Sequence, residues 1–549
     1  MASLNTYNSV LGTKNARHLI RRTTFVYTKT FVDQISLLTP SQALDLLLTV
    51  NPLNLSLPYD PLPEGSPDGF WTESTLLATS FQNQDRKASI VSGWWWYNAI
   101  KTPTMQYKLS HFFSTCFTVE KGNGAGSASE FYDYLRLLLF YSYGNYKTLA
   151  KKMSVNNSML NYLSNTSNSK NAPNENYARE FLELFTIGKG EQIAPGNYTN
   201  YTEADIVHAA RVLTGFRRQP NRSVVDSETG IPKGYNLFSS HHTSVKQFSA
   251  AFNNTAIQPA LDGAGMDQEL EGFVNMIFQQ EATAKNICRK LYSYFVRSKI
   301  SQEVENDIIV PLSQQLLDND YEIVPVVRKL MESVHFYDLD DNNSTDEIIG
   351  GIIRSPIQQL SELCTYFQAS VPDPTLNTTE FYITFWDSFV HSSFLKKANM
   401  ILFDPDNVAG HQAYYQAPEY DKHWASASTL NARYKLGESL LDGKNRIEGN
   451  TDILCQIDIT EFVRNSGSIS VPDDPFILTS ELCNALFAQE PEEARINFLM
   501  NTFLLQESPP SDWTALWGFY IQANFSSVVD LRLKALLTYI LKAPESQMF

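Results

Sequence analysis

Glu175, Arg179, Glu180 and Glu183 crowd three carboxylates and one guanidinium into the stretch Asn174–Gly188. Residues four apart share a helix face, so Glu175, Arg179 and Glu183 predict an ion ladder on one side. Ala178, Phe181, Leu182 and Phe185 recur at the spacing of a buried stripe on another side. Asn174 is placed to cap the helix and Gly188 to stop it. Carboxylates whose surroundings push their pKa values apart can act as acid and base. On that reading Arg179 holds Glu175 and Glu183 while Glu180 faces a substrate or a partner. The plainer reading is a capped surface helix whose ion pairs contribute about 0.3 kcal/mol each. A buried network of Arg and Glu with every hydrogen bond satisfied is a third.

A second helix is predicted from Tyr201-Thr202-Glu203-Ala204-Asp205-Ile206 to Leu213-Thr214-Gly215. Thr202 would cap it, with Asp205 at the capping-box position. Ile206, Ala209, Ala210 and Leu213 make its buried stripe.

Other residues suit binding. Trp94, Trp95, Trp96 and Tyr97 are consecutive, and neighbours on a helix point in different directions, so all four cannot line one pocket. Some should fill the core, and one or two could anchor an interface or stack on a sugar. Tyr414 and Tyr415, with Tyr420 and Trp424, divide the same way. His241 beside Lys246 could contact an anion or a carboxylate, or remain a solvated loop pair. His208, His335, His391 and His423 stand alone, and no His-Glu-x-x-His spacing occurs. Phosphate-loop, Gly-x-Ser-x-Gly and dinucleotide fingerprints are absent, and Gly122-Asn123-Gly124-Ala125-Gly126 reads as a flexible turn. Cys116, Cys288, Cys364, Cys455 and Cys483 are scattered and read as buried free thiols. No metal and no cofactor is expected.

These residues need elements to position them. With 549 residues, 43% of them hydrophobic, the chain can bury a large core. Length alone would allow two to four domains. Helical periodicity predicts helices at 82–102, 104–119, 127–152, 175–187, 203–215, 267–298, 301–318, 321–334, 352–369, 421–441, 476–488, 491–505 and 526–542. No fixed period links them, which argues against a solenoid. The expectation is a mainly α fold, a large multi-helical single-core domain with long loops. Residues 1–445 would form the main helical domain and 446–549 a C-terminal helical extension or small subdomain. Loops are expected at the proline-rich 51–70, the Asn- and Ser-rich 154–174 and the polar 217–266.

A net charge of -16 argues against nucleic-acid phosphate as a partner and fits a soluble chain or one that meets a basic surface. No apolar run is long enough to span a membrane, so no membrane insertion is expected. Met1–Asn8 lacks the basic and apolar regions of a signal peptide, which points to the cytoplasm and leaves export by a non-classical route open. The Asn-x-Ser/Thr triplets are read as composition.

The two motif helices, in this order, resemble the bacterial family catalogued as domain of unknown function 1800. Its pattern runs Asn-Glu-Asn-aromatic-Ala-Arg-Glu-Leu-x-Glu-Leu, then a linker, then Tyr-Thr-Glu-x-Asp and Ala-Arg-x-Leu-Thr-Gly. His18-Leu19-Ile20-Arg21-Arg22-Thr23-Thr24-Phe25 is similar to its opening motif and Ile287-Cys288-Arg289-Lys290-Leu291-Tyr292 to its central helix. Asn407-Val408-Ala409-Gly410, Trp424 and Thr429-Leu430-Asn431-Ala432-Arg433 resemble its closing segment. The likeness covers most of the chain and fades after about 445. It implies no established activity.

The chain also departs from that pattern. Ser114 and Cys116 stand where relatives commonly carry two histidines, and Phe185 where many carry another. His111, three residues before Ser114, is an alternative ligand. His241 takes the histidine position of a family His-Asp-x-x-x-Lys loop, with His242 in place of the Asp. The replaced histidines favour a non-enzymatic scaffold that binds another protein or its own copies. Relatives often neighbour a sulfatase-like protein, which the resemblance suggests as a partner. The alternative is a hydrolase acting on an envelope polymer, with carboxylates of the 174–188 helix as acid and base and the tryptophans binding sugar. That mechanism needs two carboxylates on opposite sides of the sugar.

Overall fold

The structure is a computed structural model describing residues 2–50, 56–62, 71–72, 83–122, 124–341, 343, 347–411, 420–443 and 455–549. It is mainly α, as the periodicity predicts. The helices are α1 (Gly12–Thr23), α2 (Lys29–Ser36), α3 (Pro40–Leu47), α4 (Gln84–Ala99), α5 (Gln106–Cys116), α6 (Ala128–Phe140), α7 (Tyr146–Met153), α8 (Asn157–Tyr162), α9 (Glu175–Glu180) and α10 (Glu203–Val212). They continue with α11 (Gly263–Phe278), α12 (Glu281–Phe295), α13 (Val310–Asp318), α14 (Ile323–Met331), α15 (Pro356–Tyr366) and α16 (Ala427–Asp442). The last are α17 (Ile459–Asn465), α18 (Pro475–Leu486), α19 (Glu493–Leu499), α20 (Pro510–Ala523) and α21 (Ser527–Lys542). A long π-helix, Glu380–Leu395, lies between α15 and α16.

The local chemistry accounts for most boundaries. Ser127 caps α6 in a box with Glu130, and Thr39 caps α3 in a box with Gln42. The helix expected over 127–152 breaks into α6 and α7, because Asn145 turns back to cap the second piece through the Thr148 amide. The helix expected over 267–298 breaks likewise at Gln279–Gln280. Within the expected loop 154–174, the Asn156 side chain accepts from the Ser158 and Met159 amides and starts α8. Helices α1, α2, α3, α17, α20 and the π-helix lie outside the expected helices. The polar stretch 217–266 carries short antiparallel ladders, β3 (Phe216–Arg217) with β4 (Tyr235–Asn236) and β5 (Lys246–Gln247) with β6 (Ala256–Ile257). An earlier ladder pairs β1 (Gln192–Ala194) with β2 (Asn197–Tyr198).

Helix α4 packs against α6 and the π-helix, and α5 packs against α6. Gly93 permits the closest approach, since a Cβ there would lie 2.7 Å from the Trp386 ring. Among the described residues no helix is long and apolar enough to cross a membrane. All five cysteines are buried.

One polar knot ties the ends of the chain together. Glu362 on α15 is buried and accepts from Arg354 Nη1 at 2.5 Å and Gln358 Nε2 at 2.9 Å, with Arg21 Nε at 3.4 Å. Arg21 also donates to the Phe487 carbonyl at 3.0 Å, and Arg22 to the Ile348 and Phe549 carbonyls. Arg433 donates to Gln547 Oε1 at 2.9 Å and to the Arg354 carbonyl at 2.8 Å. Burial pushes both Arg22 and Arg433 down to about 9. For Glu362 burial pushes the carboxyl up, but Arg354 and Arg21 outweigh it and hold it below the usual range.

Glu362→Gln leaves Arg21 and Arg354 buried without their counter-charge. It should destabilise the protein by about 3–5 kcal/mol in urea denaturation. A folded pKa below the unfolded value (about 4.3) means the wild-type contribution is present above that value and disappears as pH falls through the folded pKa. The difference between variant and wild type should therefore shrink in acid. A variant as stable as wild type at pH 7 would show that the knot is not a keystone.

Candidate functional site

The motif helix is α-helical only through Glu180. From Phe181 to Phe185 it widens into a π-turn, which the Thr186 hydroxyl closes by donating to the Phe181 carbonyl at 2.7 Å. Gly188 then turns the chain at φ +73 with its amide on the Leu182 carbonyl. The inserted residue shifts the register, so the expected ladder does not form. Arg179 instead forks onto Glu203 of α10, with Nη1 and Nη2 each 2.8 Å from a carboxylate oxygen. Glu183 pairs with Lys189 and accepts from the Tyr201 hydroxyl at 3.2 Å. Glu175 is exposed. The side-chain bond from Glu203 raises the Arg179 pKa, and its counterpart lowers Glu203.

The second motif helix opens as expected. Thr202 accepts from the Asp205 amide, and Asp205 Oδ2 accepts from the Thr202 amide at 2.8 Å. The same carboxylate takes the Ser249 amide and hydroxyl at 2.7 Å each, which pins the β5 region to α10. The signature is thus largely a set of ties between its own two halves and the loop that follows.

Glu180 is different. Among the described residues it makes no hydrogen bond or ion pair, and burial, then Glu183, raises its pKa. It borders an acidic patch. Burial pushes the Tyr162 phenol up to about 12, aided by Glu120, Asp404 and Glu180. Burial also raises Asp404, against the pull of Lys121. Lys121 Nζ lies 3.3 Å from His391 Nε2, and His391 Nδ1 lies 3.5 Å from Asp387, which accepts from the Ser89 hydroxyl at 2.6 Å. For Asp387 burial acts upward, but His391 and Ser89 outweigh it and lower the pKa.

A second polar chain lines a cavity of about 240 Å³. His335 Nδ1 lies 2.7 Å from Asp340 and Nε2 lies 2.9 Å from the Tyr292 hydroxyl. Arg297, Lys299 and Glu303 complete the wall. Each of His335 and His391 has one partner near in sequence, Asp340 and Asp387, and one on a distant element, Tyr292 and Lys121, which the sequence does not reveal. Among the described residues no cluster of three His, Cys, Asp or Glu side chains is placed to hold a metal ion.

The other residues singled out from the sequence fall as follows. Trp94, Trp95 and Trp96 are buried, with Trp96 Nε1 on Ser361 and Trp95 against Phe25, Tyr107 and Phe403. Tyr97 is half-buried and donates to Asp373 at 3.2 Å. His241 and Lys246 are both fully buried around Glu269, so the carboxylate they meet is the chain's own. Trp424 is buried, and Tyr414 and Tyr415 lie outside the described residues. His111 is enclosed by Phe25, Trp95 and Phe403, has Tyr294 at 2.7 Å, and is pushed by burial down to about 3. Ser114 Oγ donates back to the His111 carbonyl at 2.6 Å. Cys116 and Phe185 do come together, on either side of Tyr146, whose hydroxyl donates to the Phe185 carbonyl at 3.2 Å.

A family model described as Protein of unknown function (DUF1800) matches residues 18–548. No curated protein and no solved structure matches the chain.

Two measurements test these assignments. Arg179→Ala and Glu203→Ala in a double-mutant cycle should show a coupling of about 0.5–1 kcal/mol, and a coupling near zero would remove the tie. Glu180 has a folded pKa above its unfolded one, so its ionisation opposes folding at neutral pH. Glu180→Gln should raise the urea midpoint at pH 7, and the gain should vanish below about pH 4, where both states hold the proton. A loss of stability at pH 7 would mean that Glu180 has a structural partner.

Proposed function

The chain belongs to the DUF1800 family of proteins of unknown function, and we propose that it is a non-enzymatic binding and assembly protein. The observation that carries this reading is the outer surface of the C-terminal helices. Phe498, Phe519, Phe525, Val528, Leu531 and Tyr539 are between 43% and 65% exposed, all within one short stretch of chain. Folded monomers seldom leave so much apolar surface in one region unless it binds something. The ring of Phe503 stacks on Tyr539 at 3.7 Å and meets Phe498 at 5.9 Å, so part of this surface is continuous. The signature carboxylates support the same reading from the other side, since Glu183 and Glu203 are engaged in holding helices.

A second reading has one observation in its favour. Glu180 is a carboxylate raised by burial beside the Tyr162 phenol and Asp404, as the general acid of a hydrolase would be. It would take a polymer substrate across the patch they border.

Native mass spectrometry of the protein isolated from its own cells separates the two. The binding reading expects a stoichiometric assembly that Leu531→Asp dissolves while thermal stability moves by less than about 0.5 kcal/mol. A monomer that cleaves an envelope polysaccharide, and loses that turnover with Glu180→Gln, would replace it with the hydrolase reading.

A further inference from the structure

Helix α21 is apolar on two sides. Val529, Leu533, Leu536, Leu537 and Ile540 are buried against the core. The outward side carries Val528, Leu531, Ala535 and Tyr539, with Lys542 at its end. Counted from Ala535, these positions stand at -7, -4, 0, +4 and +7, so the stripe reads alike in both directions. A face with this property can pair with itself antiparallel about a twofold axis, because each residue meets the mirror position of its copy. Leu531 would meet Tyr539 of the second helix. Val528 would meet the aliphatic stem of Lys542. Alanine falls at the crossing point, where a small side chain lets two helices approach to about 8–10 Å.

Charge points to the same occupant. Three cations near the rim have a carboxylate of their own: Lys534 with Asp530 at 2.9 Å, Lys542 with Glu438 at 2.5 Å, and Arg495 with Glu545 at 3.0 Å, while Arg532 on the outward side of α21 has no ion pair among the described residues. In a chain of net charge -16, two copies repel over most of their surface. A rim whose carboxylates Asp530, Glu438 and Glu545 are paired and to which Arg532 adds positive charge is where that repulsion between acidic copies is least. At about 200 Å² per aromatic side chain, the exposed apolar groups amount to roughly 600 Å², which approaches the ~800 Å² each partner gives a standard interface.

We infer that the occupant of this surface is a second copy of the chain, joined through α21 against α21 with the twofold axis passing Ala535. This rests on the binding reading above and names its partner. Helix α20 flanks the seam and brings Phe519 to the second copy.

The test uses the full-length purified chain carrying Ala535→Cys, treated with a short bis-maleimide, beside sedimentation of the wild type. Position 535 lies on the twofold axis in this arrangement, and the native thiols are all buried. The inference expects a dimer in sedimentation and a covalent dimer from Ala535→Cys. Leu531→Asp should raise the dimer dissociation constant about 100-fold or more, because it sets an unpaired charge in the seam. A dimer whose 535 thiols do not cross-link overturns the proposed register. A monomer at tens of micromolar overturns the second copy as occupant. In that case the binding reading still stands if Leu531→Asp removes a different partner from the native assembly, and falls with the inference if it removes none.

Discussion

The structure depends on one buried carboxylate surrounded by cations. Among the described residues Glu362 is the single acid in direct contact with Arg21 and Arg354, while Arg22 and Arg433 lie close by and donate to carbonyls and Gln547. Taking guanidinium groups out of water is unfavourable unless opposite charge and acceptors replace the lost hydration. That requirement makes the arrangement selective. The carbonyls that complete it belong to residues 348, 485, 487 and 549, so the knot forms only when α1, α15 and the last turns of the chain are in native positions. Leucines in its place would tolerate several packings; guanidinium forks tolerate one.

The motif pair uses the same device at the surface. Arg179 and Glu203 sit in the two halves of the signature and fork onto each other, and Asp205 extends the tie to Ser249. A recurring pattern of Glu and Arg therefore has a use that involves no substrate. It fixes where α9 stands relative to α10, and with it the unpaired Glu180 at the edge of the acidic patch. Position is held by the paired acids, and any chemistry at this patch would fall to the unpaired one.

Much of this was legible in the sequence where the physics is local. The apolar stripes of α6 and α10 and the Thr202–Asp205 box lie within a few residues of each other, so periodicity and capping rules find them. The π-helix was missed for a definable reason. Its buried residues Phe381, Phe385, Phe389 and Phe394 recur at four or more positions, wider than the 3.6 that marks an α-helix. The π-turn after Glu180 misled in the same way, since the ladder assumed regular α geometry. Pairs such as Arg179–Glu203, Lys121–His391 and His335–Tyr292 lie beyond any local rule. The division of Trp94, Trp95 and Trp96 between core and surface was open in the sequence because burial on the sides of α4 is decided by distant elements, the π-helix and α6 among them, with Phe25, Tyr107 and Phe403 around Trp95.

The knot also sets an order of events during synthesis. Arg21 leaves the ribosome 466 residues before the Phe487 carbonyl it needs. Until then α1 has an apolar face and two guanidinium groups with no native place to go. The knot cannot close behind the growing chain, and its completion waits on residues 485–487. Folding of this kind is slow and exposes apolar surface for as long as elongation lasts. For that interval the unfinished core offers its apolar face to other chains as readily as to its own.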